Sequence, residues 1–268
     1  MVTRVEVKKA VSTIVGKFRQ SLLDFSITRW AIGVLMPQQE LKLLVKAALG
    51  THSTELLEKG SLRSYSQNYQ DLILVGLITS DESRSCPLSY LEIGGGDPFF
   101  GSNSYLLQIL GWHGLIFEPL PDAYEALVRE RADARTQIIP KAIWVGSPSV
   151  KMTSQGLHSR VIPQNSPSGE SQDSSGLLEV DAISPYELAL LAMKFNLGEL
   201  GVVMIDAEGS ELPILSAWPW PELKPKYFLI EHNYNFLRYK KIRKLLRRQG
   251  YKEIKVTILK QDALFELI

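Results

Sequence analysis

Residues 90–104 read YLEIGGGDPFFGSNS, and no other segment constrains the fold as much. A short run of strand character, 90–93, ends in Gly94, Gly95 and Gly96. A second run, 115–117, ends in Glu118 and Pro119. Glycines at a strand end let the backbone turn through left-handed conformations and leave room that no side chain fills. A carboxylate ending the next strand, held extended by the proline after it, lies on the same edge. In open parallel sheets that edge is where ligands bind.

The alternation continues. Strand-length apolar runs recur at 137–139, 202–205 and 227–230. Helix-like segments fall at 102–110, 121–132, 210–217 and 235–249. Such a pattern predicts an α/β fold with a mostly parallel sheet covered on both faces. Two final β-like segments, 252–260 and 263–268, predict an antiparallel hairpin that completes seven strands. Residues 1–60 read as a separate helical extension, with Leu41, Leu44, Val45 and Ala48 on one face. Residues 61–268 form the main domain. Within it, 146–176 is rich in Ser, Gly and Pro and reads as a long loop or lid.

Composition excludes several classes. Net charge is +1, so no global polyelectrolyte signal points to nucleic acid. Cys86 is the single cysteine and can form no internal disulfide, which fits a reducing cytoplasm. Arg4, Glu6, Lys8 and Lys9 interrupt the N-terminal apolar residues, unlike a signal peptide. No apolar run nears the ~20 residues of a membrane span.

The ligand can be narrowed. Counting GxGxxG from Gly94 places Phe99 in the third glycine position, so the dinucleotide fingerprint fails. Asp97-Pro98 delays the next helix, and no Gly-Lys-Ser/Thr follows the glycines. The loop therefore suits a nucleoside without a diphosphate, and S-adenosylmethionine is the common one. Glu118 lies 24 residues beyond Gly94, close to the spacing of about 20 for a ribose-binding acid. Glu92 is placed to hold the cationic amino end of the methionine part.

Several blocks, in order, resemble the FkbM-type methyltransferases. They are Ser66-Gln67 with Asp71; LEIGGGDP with SNS at 102–104; and GWHGLIFEP at 111–119. Arg131 with Asp133 and Lys141-Ala142-Ile143 follow, then IDAEGSEL at 205–212 and LIEHN at 229–233. The match spans about 61–235, and the ordered set is far more specific than any block alone. Gln70 stands where the family often has Glu, Gly95-Gly96 replace Ala-Asn or Ala-Phe, and Glu92 replaces Asp. The resemblance implies a class I methyltransferase-like Rossmann fold and S-adenosylmethionine-dependent O-methylation of a sugar, glycan or natural-product hydroxyl. It implies cofactor contacts at Gln67, Glu92, Gly94, Gly96, Asp97, Asn103, Glu118, Pro119, Ala142 and Asp206, and no metal. The alternative is an inactive binding scaffold that keeps the fold.

Asp206 and Glu208, after the fourth strand, are the expected reaction centre. His232, after the fifth, is the expected general base, because its pKa lies near working pH. The same three residues could instead orient a hydroxyl through a hard cation. Glu211 is expected to be structural, in the first turn of a helix. Segment 238–248 holds seven basic residues and no acid. It reads as a sheet-covering helix whose outer face could attract an anionic acceptor, such as a nucleotide-linked or lipid-linked sugar. A homo-oligomer built through the N-terminal helices is a further expectation.

Overall fold

The computed structural model describes residues 64–80, 88–153, 161–162, 177–197, 199–256, 259 and 261–268. The extension expected at 1–60 lies outside them, as do 154–160 and 163–176 of the expected loop. The described residues fall into two units, one holding Ser64 and 69–80, the other all the rest. In the first, helix α1 (Gln70–Ser80) carries Asp71 in its first turn. The Asp71 carboxylate accepts from Ser64 Oγ at 2.6 Å and from the Leu72 N–H at 2.8 Å.

The second unit is built on a seven-stranded sheet. Strand β1 (Ser89–Ile93) pairs in parallel with β2 (His113–Phe117), and β2 with β3 (Thr136–Ile139). On its other side β1 pairs with β8 (Val202–Ile205), and β8 with β9 (Tyr227–Glu231). The closing hairpin, β10 (Tyr251–Ile254) and β11 (Asp262–Leu267), adds antiparallel strands, so the order is β10-β11-β9-β8-β1-β2-β3. Strands β1, β8 and β9 are buried throughout. That explains their continuous apolar runs, since both faces of the sheet are covered.

One face packs Leu91, Ile93, Phe117, Val203 and Phe228 against helices. Those helices are α4 (Pro185–Lys194), α5 (Glu211–Ser216) and α6 (Phe236–Arg248), which contribute Leu188, Ile214, Ile242 and Leu246. Helices α2 (Tyr105–Ile109) and α3 (Pro121–Arg131) follow β1 and β2. Helix α2 is shorter than the expected 102–110, because Ser102 and Ser104 hydrogen-bond into a buried polar network before it begins.

Two features depart from the sequence reading. Residues expected to be loop from 146 onward include β5 (Ser149–Thr153) and β6 (Val161–Ile162). With β4 (Ala142–Ile143) and β7 (Leu177–Ile183) they make a second sheet, ordered β4-β7-β5-β6. Ala142, Val150, Met152, Val180 and Ala182 form its small core. Helix α4 was also not anticipated, although Ser184-Pro185-Tyr186-Glu187 has capping-box spacing. Ser184 Oγ accepts from the Glu187 N–H at 3.2 Å, and the Glu187 carboxylate accepts from the Ser184 N–H at 2.8 Å.

Candidate active site

After β3 the chain returns to β8, on the opposite side of β1. The C-terminal ends of β1 and β8 are therefore the switch point, where a crevice opens in such sheets. Register places Ile93 beside Ile205, and the Asp206 N–H donates to Ile93 O at 2.9 Å. Gly94 thus arrives level with Asp206. Its φ is +91°, and a Cβ there would collide with the Asp206 carbonyl. A Cβ on Gly95 would meet Ile116 and Leu127 side chains at 2.6 and 2.8 Å. Gly96 has φ +56° and donates its N–H to Glu118 Oε2 at 2.8 Å. Close approach, and not only turn chemistry, demands glycine at 94 and 95.

Glu118 is buried, and its other oxygen accepts from the Leu120 N–H at 2.9 Å. Burial raises its carboxyl pKa, while the N–H donors of the glycine turn and Leu120 pull it back. Each oxygen keeps a further lone pair that can accept a hydroxyl. Pro119 and Leu120 lead into Pro121 at the first position of α3. Asp97 shapes the loop, with one oxygen accepting from the Phe99 and Phe100 N–H groups at 2.8 and 2.7 Å. The Asn103 Oδ1 is buried without a hydrogen-bond partner among the described residues.

Glu92 faces a polar network beneath the turn. Ser104 Oγ donates to its carboxylate and accepts from Arg131 Nη2 at 2.8 Å. Arg131, only 1% exposed, also donates to Ser102 Oγ at 3.0 Å and to Gln108 Oε1 at 2.8 Å. Burial pushes the Glu92 carboxyl up to about 7, against the opposing pull of Arg131 and Ser104. Its carboxyl is thus partnered inside the protein, although burial outweighs those partners and disfavours its charged form. Arg131 entered the sequence reading only as part of a motif, and the structure makes it the anchor of this network.

Gln67 accepts from Gln261 Nε2 at 3.1 Å, close to Gly101. Ala142 lies in β4, with its side chain in the second sheet's core.

Of the residues expected at the reaction centre, Asp206 and Glu208 lie together, with Glu231 and not His232 beside them. Oxygens of Asp206, Glu208 and Glu231 lie within 4.8 Å of one another. Because Ile205 pairs with Ile230, Asp206 and Glu231 end neighbouring strands side by side. They share a hydrogen bond. Two carboxyl groups can do that only if one carries a proton. Burial raises both pKa values, and their mutual repulsion raises that of Glu231 further. Asn233 Nδ2 donates to Glu231 Oε2 at 2.8 Å and reaches Glu208 Oε2 at 3.4 Å. The same spacing would suit a hard cation.

His232 points elsewhere. Its ring centroid lies 4.8 Å from that of Tyr239 in α6. Burial and the nearby Arg238 lower its pKa. Successive strand-end residues project to opposite faces, so the position next to His232 meets Asp206. The sequence sets Glu231 beside His232, and the strand register decides which of the two meets Asp206.

The loops bearing these groups are held in unusual conformations. Glu208, Asn233 and Tyr234 have φ of 45°, 47° and 54°, which side chains rarely adopt. Glu211 accepts from the Ala207 and Gly209 N–H groups at 3.2 and 2.9 Å. Arg238 of α6 meets Glu211 at 3.2 Å and donates to His232 O at 3.1 Å, so one guanidinium ties both loops.

A doubly wound sheet closed by an antiparallel hairpin, with a glycine turn at its switch point and an acid one strand on, is the frame of the class I S-adenosylmethionine-dependent methyltransferases. The model of the methyltransferase FkbM domain matches residues 92–253, more than half of the chain, and the protein belongs to that family. It is a methyltransferase. No curated protein matches its sequence. Among solved structures it is similar to an O-methyltransferase from Bacillus cereus in complex with SAH, at 10% identity and TM-score 0.44, covering 90% of this chain and 96% of that one. It is also similar to the Methanococcus jannaschii fibrillarin pre-rRNA processing protein, at 14% identity and TM-score 0.40, covering 75% of each. Likeness at this level carries no argument about activity, and the fold assignment stands on strand order.

Proposed function

We propose that the protein transfers the methyl group of S-adenosylmethionine to a hydroxyl of a sugar, glycan or natural product. The observation that supports this most is the Asp206–Glu231 carboxyl pair, set side by side at two strand ends next to a glycine turn. The residues fit the cofactor on two further counts. Gly94 packs without a side chain against the Asp206 carbonyl, which brings the turn up to the carboxylates, and the Asn103 Oδ1 is an orphaned acceptor for an ammonium or hydroxyl among the described residues. Glu118 accepts ribose hydroxyls with its remaining lone pairs.

The bound cofactor supplies an activated methyl group on a cationic sulfur, open to in-line displacement. The chain aligns the acceptor and removes its proton. Asp206 and Glu231 act as one titrating unit that holds one proton and takes up the second from the hydroxyl as the new O–C bond forms. Asn233 orients Glu231, and Glu208 adds a second negative charge to that of the pair, which attracts the sulfonium.

The test is transfer of labelled methyl from S-adenosylmethionine to a pool of glycans and polyhydroxylated small molecules. Alkali-stable label on oxygen is expected. Binding of S-adenosylhomocysteine with no transfer to any member would favour the inactive scaffold. A chelator is expected to leave the rate unchanged. Loss of rate restored by magnesium would mean that a cation, not a shared proton, occupies the carboxylate centre.

A further inference from the structure

Helix α6 covers the sheet with one face and carries an unneutralised surface on the other. Ile242 and Leu246 are buried in the core. At 3.6 residues per turn, the opposite face gathers Leu237, Lys240, Lys241, Lys244, Arg247 and Arg248. Arg238 and Arg243 are paired, with Glu211 at 3.2 Å and Glu253 at 3.0 Å. The remaining five cations make no ion pair with a described carboxylate. They sit on a chain whose net charge is only +1, so the positive field is local to this face.

The end of the helix nearest the carboxylate centre is apolar. Tyr234, Phe236 and Leu237 are 67%, 69% and 72% exposed. Tyr234 follows Asn233, the residue that donates to Glu231. Covering the sheet requires none of these side chains. A nucleic-acid backbone would attract the cations, and unpaired bases could stack on Tyr234 or Phe236, but the exposed leucine would stay in water. A bilayer interface satisfies both groups, with Lys and Arg at the phosphate level and the aromatic and aliphatic tips among the upper acyl chains.

We propose that this face docks onto an anionic lipid bilayer, with the active-site end of α6 against the membrane. Where methyl transfer holds as proposed above, a docked enzyme faces a hydroxyl on a lipid-linked glycan.

The experiment uses the full chain and vesicles of phosphatidylcholine with 30% phosphatidylglycerol, or of phosphatidylcholine alone, in a sedimentation assay at about 0.1 M salt. Binding is expected on the anionic vesicles only, and it should weaken as salt rises. The triple variant Lys240→Gln, Lys244→Gln, Arg248→Gln should bind about 100-fold more weakly, at roughly a fivefold loss per cation. Phe236→Ser with Leu237→Ser should weaken binding about tenfold or more. All of these side chains are exposed, so both variants should melt as the wild type does. Absence of binding, equal binding to both vesicles, or variants that bind like the wild type would overturn the proposal. So would a single-stranded RNA that binds more tightly than the vesicles and is indifferent to the apolar substitutions, which would make the face a nucleic-acid surface. Titration of S-adenosylhomocysteine into the same samples separates the two claims. Intact cofactor binding with no vesicle binding sinks the docking alone. The converse sinks the methyl-transfer reading alone.

Discussion

The residue that changes the account most is Glu231. It is buried, it shares a proton with Asp206, and Asn233 orients it. Glu231→Gln is expected to lower kcat about 10²–10⁴-fold, the usual loss for a general base, with cofactor affinity within about twofold of wild type. His232→Ala should leave kcat within about threefold, because its ring packs on Tyr239 and not on the carboxylates. A single-turnover assay of both variants distinguishes the two residues, and the reverse ranking would restore the histidine. Glu92 makes a different prediction. Its folded pKa, raised by burial to about 7, exceeds the ordinary 4.5. Below the ordinary value both states are protonated and no stability is lost. Between about 4.5 and 7 the unfolded chain ionises first, so stability falls as pH rises through this window. Urea titrations across it should show that slope in the wild type, and Glu92→Gln should remove its share. That Glu118 and Asp206 directly follow strands was legible in the sequence, because each closes an apolar run in a recognisable block. Glu231 sat in view but lost to the histidine beside it, since facing depends on a register the sequence does not state.

At the scale of elements, the glycine turn carries the tightest constraint. Gly94→Ala must place a Cβ against the Asp206 carbonyl at a φ of +91°. A loss of about 2–4 kcal/mol of stability is expected, together with loss of cofactor binding, and thermal melting with calorimetry measures both. A fully stable variant that binds normally would mean that the turn is not packed as described. Strands β1, β8 and β9 were readable because a strand covered on both faces is a continuous apolar run. The hairpin that closes the sheet was readable for its own pattern at the chain's end. Strand β5 was not readable. Its alternation of buried Val150 and Met152 with outward Ser149 and Lys151 is short. It lies among Ser, Gly and Pro, and its partner β7 begins beyond residue 176. Pairing across such a distance leaves no local mark. Helix α4 did leave one, in its capping box.

Over the molecule as a whole, the second unit brings three loops to one sheet edge: the glycine turn after β1, the IDAEG loop after β8 and the IEHN loop after β9. The first two flank the switch point, so their meeting follows from strand order and not from local sequence. Arg238 then ties the β8 and β9 loops together from a helix whose outer face has a separate character. Among the described residues no helix is long and apolar enough to cross a membrane. In the proposed pose the cofactor's adenosine lies between the glycine turn and Glu118, and the methionine sulfur attached to it faces Asp206 and Glu231. Calorimetric titration of S-adenosylhomocysteine into wild type and Glu118→Ala tests it most directly. The account predicts saturable binding by the wild type and a loss of roughly 1–3 kcal/mol in the variant. Wild-type protein that takes up no ligand, or a variant that binds as tightly as wild type, would contradict it.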